Sequence, residues 1–155
     1  MKMFYLILLT LIFLIVTLLL IFALLRTWKT QTGSNQKLFL SGHIPNPLLD
    51  GIYKGSVIGL KTNWQGKKFD AKNSAGINII DNKEKYPFKT YIGKGLQDTN
   101  LRVYKIDYNI SQNPLWLRFI LDEIVEVEKG KYLGKVHINL IPKVPISLGY
   151  FRLEK

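Results

Sequence analysis

The chain has 155 residues, of which 47% are hydrophobic, and its formal net charge is +11. It contains no cysteine, which excludes disulfides, thiolate catalysis and cysteine-bound zinc. The positive charge favours anionic partners, but the lysines are scattered and there are only four arginines. No stretch interleaves arginine with aromatic residues, so a nucleic-acid partner is not expected.

An uncharged apolar run occupies residues 4–25, beginning with Phe4 and ending with Leu25. As a helix it would be about 33 Å long, enough to cross a hydrocarbon core of roughly 30 Å. The run is longer than the apolar part of a signal peptide, no Ala-x-Ala cleavage pattern follows it, and Trp28 suits a membrane interface. Residues 1–28 are therefore predicted to form an uncleaved, single-pass membrane anchor.

The side of the membrane on which the rest of the chain lies is less strongly determined. Positive residues flank the run on both sides, so the positive-inside rule does not discriminate. A short N-terminal tail before a long C-terminal domain is similar to a signal-anchor arrangement, which predicts an extracytoplasmic domain. The small polar residues after Trp28 predict a flexible spacer over 29–37.

Residues 38–155 are predicted to form one mainly β domain. Short apolar runs separated by turn residues predict eight strands, at 51–58, 67–71, 76–80, 88–92, 101–110, 122–128, 132–140 and 146–153. Asn113-Pro114 is a favourable helix start and predicts a short helix near 114–121. Pro142 and Pro145 should end the seventh strand.

The connections between these strands are too short for parallel crossovers, so an antiparallel meander is expected. Eight strands of this length can close into a barrel, which removes exposed edges. An open sheet packed by the short helix is the alternative.

Residues 51–55 and 64–70 resemble the calycin superfamily, whose lipocalin members carry Gly-x-Trp on their first strand. Trp64 would be the tryptophan of that motif, while Thr62 stands where its glycine would be. The resemblance covers about twenty residues together with the strand count. It implies a closed antiparallel barrel with an apolar lumen.

The densest group of informative residues surrounds Trp64 and Lys67. Trp64 could form the wall of a ligand cavity and Lys67 could meet an anionic head group. Alternatively, Trp64 closes one end of the barrel and the lysine is solvated. Aromatic side chains with hydroxyl tips could line an amphipathic cavity or simply fill the core, and these are Tyr53, Tyr104, Tyr108, Tyr132 and Tyr150.

No catalytic or metal site is predicted, and no cofactor. The one acidic cluster, Asp122, Glu123, Glu126 and Glu128, has the residue type that glycosidases use, but it also suits cross-strand pairing with lysines at the surface. His43 lies in a proline-rich segment, and His137 is expected to be exposed. Ser147 and the other serines lack a nucleophile-elbow motif.

Three functions are consistent with these patterns. The first is a membrane-tethered, non-catalytic module that binds a small apolar or amphipathic ligand, such as an anionic lipid. The second is a structural or protein-interaction domain of the cell envelope with a packed core. The third is a hydrolase acting on an envelope substrate. The sequence identifies no protein partner.

Overall fold

The structure is a computed structural model that describes residues 2–141 and 144–155. Two helices, α1 (Lys2–Thr32) and α2 (Ser34–Ser41), precede the strands. The eight strands, β1 to β8 in chain order, are Gly51–Val57, Trp64–Asp70, Ala75–Ile80, Lys83–Lys94, Arg102–Asp107, Ile120–Glu128, Lys131–Ile138 and Ile146–Glu154.

The strands form a closed antiparallel barrel. Each strand pairs with the next in the chain, and β8 returns to pair with β1. This confirms the predicted mainly β fold, its meander order and its closure. The closing seam is short, because it joins only Lys54 through Val57 of β1 to Phe151 through Glu154 of β8.

The predicted helix near 114–121 is present but shorter than expected. It is a single 3-10 turn over Leu117–Phe119, and Ile120 is already extended and begins β6. The β-branched side chains of β6 favour the strand, which pairs with both β5 and β7. Pro142 lies outside the described residues, and β7 ends at Ile138.

Helix α1 is long and apolar enough to span a membrane. It runs without interruption for 31 residues, and its most apolar window has a mean hydropathy of 3.3. The side chains of this window are not covered by the barrel.

The segment predicted as a flexible spacer, 29–37, has regular local structure. The segment is helical apart from a break at Gly33, and Thr30 and Gln36 are buried. The hydroxyl of Tyr150 on β8 lies 3.1 Å from the carbonyl oxygen of Thr30 and 2.5 Å from Oε1 of Gln36. The segment therefore packs on polar groups of the barrel through Thr30 and Gln36, while other polar side chains, such as Lys29 and Lys37, are exposed.

The course of α1 distinguishes the two ends of the barrel. The amide of Ser147 donates to Oγ1 of Thr27 at 3.1 Å, and the Arg26 guanidinium donates to the carbonyl of Leu148. From Gln36, which contacts Tyr150, back to Thr27, which contacts Ser147, the chain therefore follows β8 toward the β7–β8 connection. The apolar part of α1 extends beyond this end of the barrel. The same end carries the β1–β2, β3–β4 and β5–β6 connections, and we call it the helix end.

The hydrophobic core has two layers. Aromatic and aliphatic side chains fill the barrel interior, among them Tyr53, Phe69, Phe88, Tyr104, Ile124, Tyr132 and Phe151. A second layer lies outside the barrel, where Phe39 of α2 packs on Val103, Val125, Leu133 and Tyr150. The strands under α2 are therefore covered on both faces.

Candidate functional site

A cavity of about 740 Å³ lies at the helix end, between α1, the end of β1 and the start of β8. It exists because β1 pairs with β8 only as far as Val57, which leaves the first half of β8 facing α1. Its walls are largely apolar and include Val57, Ile58, Leu60, Trp64, Val136, Leu148, Tyr150 and Phe151.

Trp64 is fixed in the cavity wall. Its ring meets the Phe151 ring edge-on at a centroid distance of 5.3 Å, and its Nε1 donates to Oδ1 of Asn78 at 3.1 Å. The ring also lies directly over Gly55, where a Cβ would overlap it. The absence of a side chain at Gly55 therefore allows Trp64 to pack inside the barrel.

A buried polar cluster forms the floor of the cavity. The Lys67 ammonium donates to Asn78 Oδ1 at 2.9 Å, to the Tyr108 hydroxyl at 2.5 Å and to Asp122 Oδ2 at 3.1 Å. These contacts use all three donors of the lysine. The Tyr108 hydroxyl lies 3.2 Å from Asp122 Oδ2, so the four side chains satisfy one another.

The charges of this cluster are balanced. Burial lowers the pKa of Lys67, and the Asp122 carboxylate opposes that shift. Burial also raises the pKa of Tyr108 well above its ordinary value, and the charge of Asp122 adds to the effect. Four aromatic rings, those of Trp64, Phe88, Tyr108 and Phe151, lie between 5.2 and 5.3 Å from the ammonium.

The mouth of the cavity is positively charged. Arg26 and Lys29 of α1 border it, together with Thr30, Gly33, Ser34 and Asn35. Neither cation forms an ion pair with any residue that the structure describes. An anionic group at the mouth would therefore meet two cations that are not already neutralised by a carboxylate.

The residues predicted for a ligand site fall into two groups. Trp64, Lys67, Tyr108 and Tyr150 line the cavity. The others lie in the packed core, away from its walls. Tyr53 packs between Phe69 and Tyr132 at centroid distances of 5.6 and 5.5 Å, and Tyr104 donates to Oγ1 of Thr90 at 2.8 Å.

Sequence reasoning did not place Asn78, Asp122 or Phe151 at the site, nor Arg26 and Lys29. For Asp122 a signal existed, because it lies two positions from Ile120 and from Ile124 and therefore shares their face of the strand, which faces the core. Arg26 and Lys29 were interpreted only as flanks of the apolar run.

The expected surface position of the acidic cluster is wrong for most of its members. Asp122, Glu123 and Glu126 are buried, and only Glu128 is exposed, where it pairs with Lys131 at 2.8 Å. His137 is fully buried rather than exposed. Asp122 is buried because it faces the barrel interior, and Glu126 accepts from the amides of Asn46 and Gly130. Glu123 and His137 lie on the outer face of β6 and β7, which α2 and the β4–β5 connection cover, as Gln36 and Asp98 show by contacting Lys135.

Below the elements that pack on the outer face of β6 and β7, three side chains lie in the order of a nucleophile, a base and an orienting acid: Ser147, His137 and Glu123. Ser147 Oγ lies 3.1 Å from His137 Nδ1, and His137 Nε2 lies 3.2 Å from Glu123 Oε2. All three are fully buried, and Ser147 Oγ also contacts Gln97 Oε1 at 2.5 Å. A nucleophile needs space for the reacting atom about 3 Å away, so these contacts are structural and join β6, β7, β8 and the β4–β5 connection.

Comparison of the chain with protein-family models, with curated proteins and with solved structures found no match.

Proposed function

We propose that this protein is a single-pass membrane protein whose barrel binds a small amphipathic ligand, such as a lipid, without catalysing a reaction. The observation that carries the proposal is the cavity of about 740 Å³ whose mouth lies on α1, directly after the apolar segment. Its volume falls in the range of about 300–1,000 Å³ that is usual for ligand cavities. The domain would lie on the extracytoplasmic side.

The lining supports an apolar body with an anionic head. Trp64, Leu148 and Phe151 offer an apolar surface, and Arg26 and Lys29 offer positive charge at the mouth. The floor residues already satisfy one another, so an apolar chain can lie on them without leaving a buried donor or acceptor unpaired. The head group is therefore expected at the mouth and the apolar body inside.

The architecture is compatible with the calycin resemblance, and we propose a calycin-like barrel. The tryptophan of the resemblance lies on β2 rather than on the first strand. It nevertheless packs inside the barrel end, against Phe151. The relationship therefore rests on the closed meander and on this packing, not on the position of the motif.

A structural domain with a packed core is the competing proposal. The observation that favours it is the aromatic packing of the interior, where Tyr53, Phe69 and Tyr132 fill the barrel away from the cavity. Ligand binding requires an open cavity in the half of the barrel near α1, whereas a packed domain requires that half to be filled.

Binding of a fluorescent fatty acid to the full chain in detergent micelles separates the two proposals. Val57→Trp should fill the cavity, because Val57 lines it. Ile52→Trp is the matched control, since Ile52 is on the same strand but is exposed. We expect Val57→Trp to weaken binding about tenfold or more, a loss of about 1.4 kcal/mol, and Ile52→Trp to leave it unchanged. Equal affinities in both variants, or no saturable binding, would favour the packed domain.

The head-group position has its own test. Lys29→Gln should weaken binding of the fatty acid several-fold and leave binding of the corresponding neutral alcohol unchanged, because a charge-assisted contact is lost only with the acid. Lys37→Gln, an exposed lysine on α2 that does not border the cavity, is the control. A similar loss for the acid and the alcohol would place the head group elsewhere.

A further inference from the structure

The connections at the helix end carry large apolar side chains that are exposed to solvent. They are between 57% and 66% exposed and comprise Leu60, Leu115, Trp116, Leu140, Ile141 and Val144. They come from three separate connections, β1–β2, β5–β6 and β7–β8. Distant parts of the sequence therefore place the same kind of side chain at one end of the barrel.

The opposite end is different. Its hairpin turns lie at 71–74, 95–101 and 129–130, and no large hydrophobic side chain is exposed among these described residues. The exposed positions there are polar, for example Lys72, Asn100 and Lys129. Among the described connections, large apolar side chains that are more than half exposed thus lie only at the helix end, whereas Leu48, beside Lys72 at the opposite end, is 36% exposed.

Helix α1 fixes where the helix end lies relative to its own apolar segment. Leu25 is the last residue of the apolar run, and the next two residues, Arg26 and Thr27, already contact β8. At a rise of about 1.5 Å per residue, the barrel begins within one helical turn of that run.

We propose that the helix end of the barrel docks on the bilayer that α1 crosses, with the exposed apolar side chains of its connections inserted at the lipid interface. The proposal rests on the membrane anchoring proposed above. Trp116 and Trp28 suit this depth, because tryptophan prefers the head-group region. The mouth of the cavity, which includes Leu60 and Lys29, then opens at the lipid surface.

An apolar patch of this kind can also mark a protein contact. The lipid surface is the occupant that the geometry favours, because the patch is continuous with the direction of α1. A protein partner would have to fit into the narrow space between the barrel and the bilayer.

The experiment uses the full chain, which has no cysteine of its own. Single cysteines are introduced as Leu60→Cys and Leu140→Cys at the helix end, Lys72→Cys and Lys129→Cys at the opposite end, and Leu14→Cys in α1. Each is labelled with an environment-sensitive fluorophore. The proteins are reconstituted in vesicles of phosphatidylcholine and phosphatidylglycerol, with and without nitroxide-labelled lipid.

Docking requires blue-shifted emission and quenching by the nitroxide lipid at Leu60→Cys and Leu140→Cys, and neither effect at Lys72→Cys and Lys129→Cys. If only Leu14→Cys is quenched, the docking proposal is wrong, and the proposal that α1 spans the membrane is supported. If Leu14→Cys is not quenched, the proposal that α1 spans the membrane is wrong, and the docking proposal is wrong as well. Blue-shifted emission at the helix end without lipid quenching would indicate a protein contact and would also overturn docking.

Discussion

The ammonium of Lys67 lies 3.1 Å from the carboxylate of Asp122 inside the barrel, and the two side chains are 3% and 5% exposed. The residues are 55 positions apart in the chain and come from β2 and β6. Taking two charges out of water is unfavourable, and it is tolerated here because Asn78 and Tyr108 satisfy the remaining donors and acceptors. The pair therefore joins two sides of the barrel below the cavity.

Removing one charge of this pair should destabilise the protein strongly. Asp122→Asn leaves Lys67 buried without its counter-ion, a change that costs about 3–5 kcal/mol in the free energy of unfolding. Denaturant unfolding of the full chain in detergent measures it. Glu128→Gln breaks the exposed pair with Lys131 and should cost less than about 1 kcal/mol.

A second variant tests the cause of that loss. Lys67→Met combined with Asp122→Asn removes both charges and should be more stable than Asp122→Asn alone, since no buried ammonium is left without a counter-ion. If the double variant is no better than the single one, the loss comes from packing and not from an uncompensated charge.

Acid should destabilise the protein partly through Glu123. Burial raises the pKa of this carboxyl, but hydrogen bonding and charge from His137, together with Lys105, outweigh burial and hold the pKa below its ordinary value of 4.5. The unfolded state therefore binds more protons than the folded state in this range. The stability from Glu123 is present above pH 4.5 and is lost as the pH falls through the lower folded-state pKa.

Unfolding experiments between neutral pH and pH 3 test this sign. Glu123→Gln should be less stable than the unmodified protein at neutral pH and should lose less further stability in acid. Glu84→Gln, which removes a half-exposed carboxyl, is the matched control and should keep the acid sensitivity of the unmodified protein. If the stability of Glu123→Gln falls with pH as steeply as that of the unmodified protein, Glu123 does not contribute to the acid sensitivity.

The strands were predictable because their apolar residues alternate and turn residues separate them. Closure into a barrel followed from their number and the short connections. The sequence pattern could not show that β6 and β7 are covered on both faces. Glu123 was expected at the surface because its acidic cluster could pair with lysines, and His137 because it shares a strand face with Lys135 and Asn139. The helices and the β4–β5 connection bury both.

The candidate site was predictable only in part. Trp64 and Lys67 stood out by residue type, and the structure places both in the cavity lining. Their partners could not be identified, because Asn78 meets Lys67 through the exact register of β2 with β3, and Asp122 meets it across the closed barrel. Arg26 and Lys29 have positive charge of the kind that commonly follows a membrane anchor, so nothing local indicated a cavity.

The docking of α2 on the barrel should depend on Gln36. Its Oε1 accepts from Lys135 at 2.8 Å, and its Nε2 donates to Asp98 at 2.8 Å. Gln36→Ala removes these two bonds and the one that Oε1 accepts from the Tyr150 hydroxyl, so the amides of residues 34–41 should exchange faster with deuterated water while those of the barrel strands do not change. Lys37→Ala, on the exposed side of the same helix, should have little effect.

Hydrogen exchange of the full chain, followed by mass spectrometry, measures the protection of residues 34–41 and of the barrel strands in one experiment. If residues 34–41 are unprotected in the unmodified protein, the segment is a flexible spacer after all. Equal protection in Gln36→Ala and in Lys37→Ala would show that Phe39, rather than the polar contacts, holds the helix in place.

The cavity wall should depend on the absence of a side chain at Gly134. The ring of Phe151 lies over this glycine on the neighbouring strand, and a Cβ there would overlap the ring. Gly134→Ala should push Phe151 toward Trp64, with an overpacking cost of about 1–3 kcal/mol. Gly93→Ala is the control, because its Cβ would come closest to the flexible side chain of Lys105, at 3.2 Å, and would meet Tyr91 only at 3.7 Å.

Adding Phe151→Leu to Gly134→Ala provides the decisive comparison. If steric overlap is the cause, the smaller side chain relieves it, and the double variant should be more stable than Gly134→Ala alone. Denaturant unfolding measures stability, and the emission of Trp64 in a Trp28→Phe and Trp116→Phe background reports the cavity wall. Equal stability of the single and double variants would mean that Phe151 does not depend on Gly134 for its position.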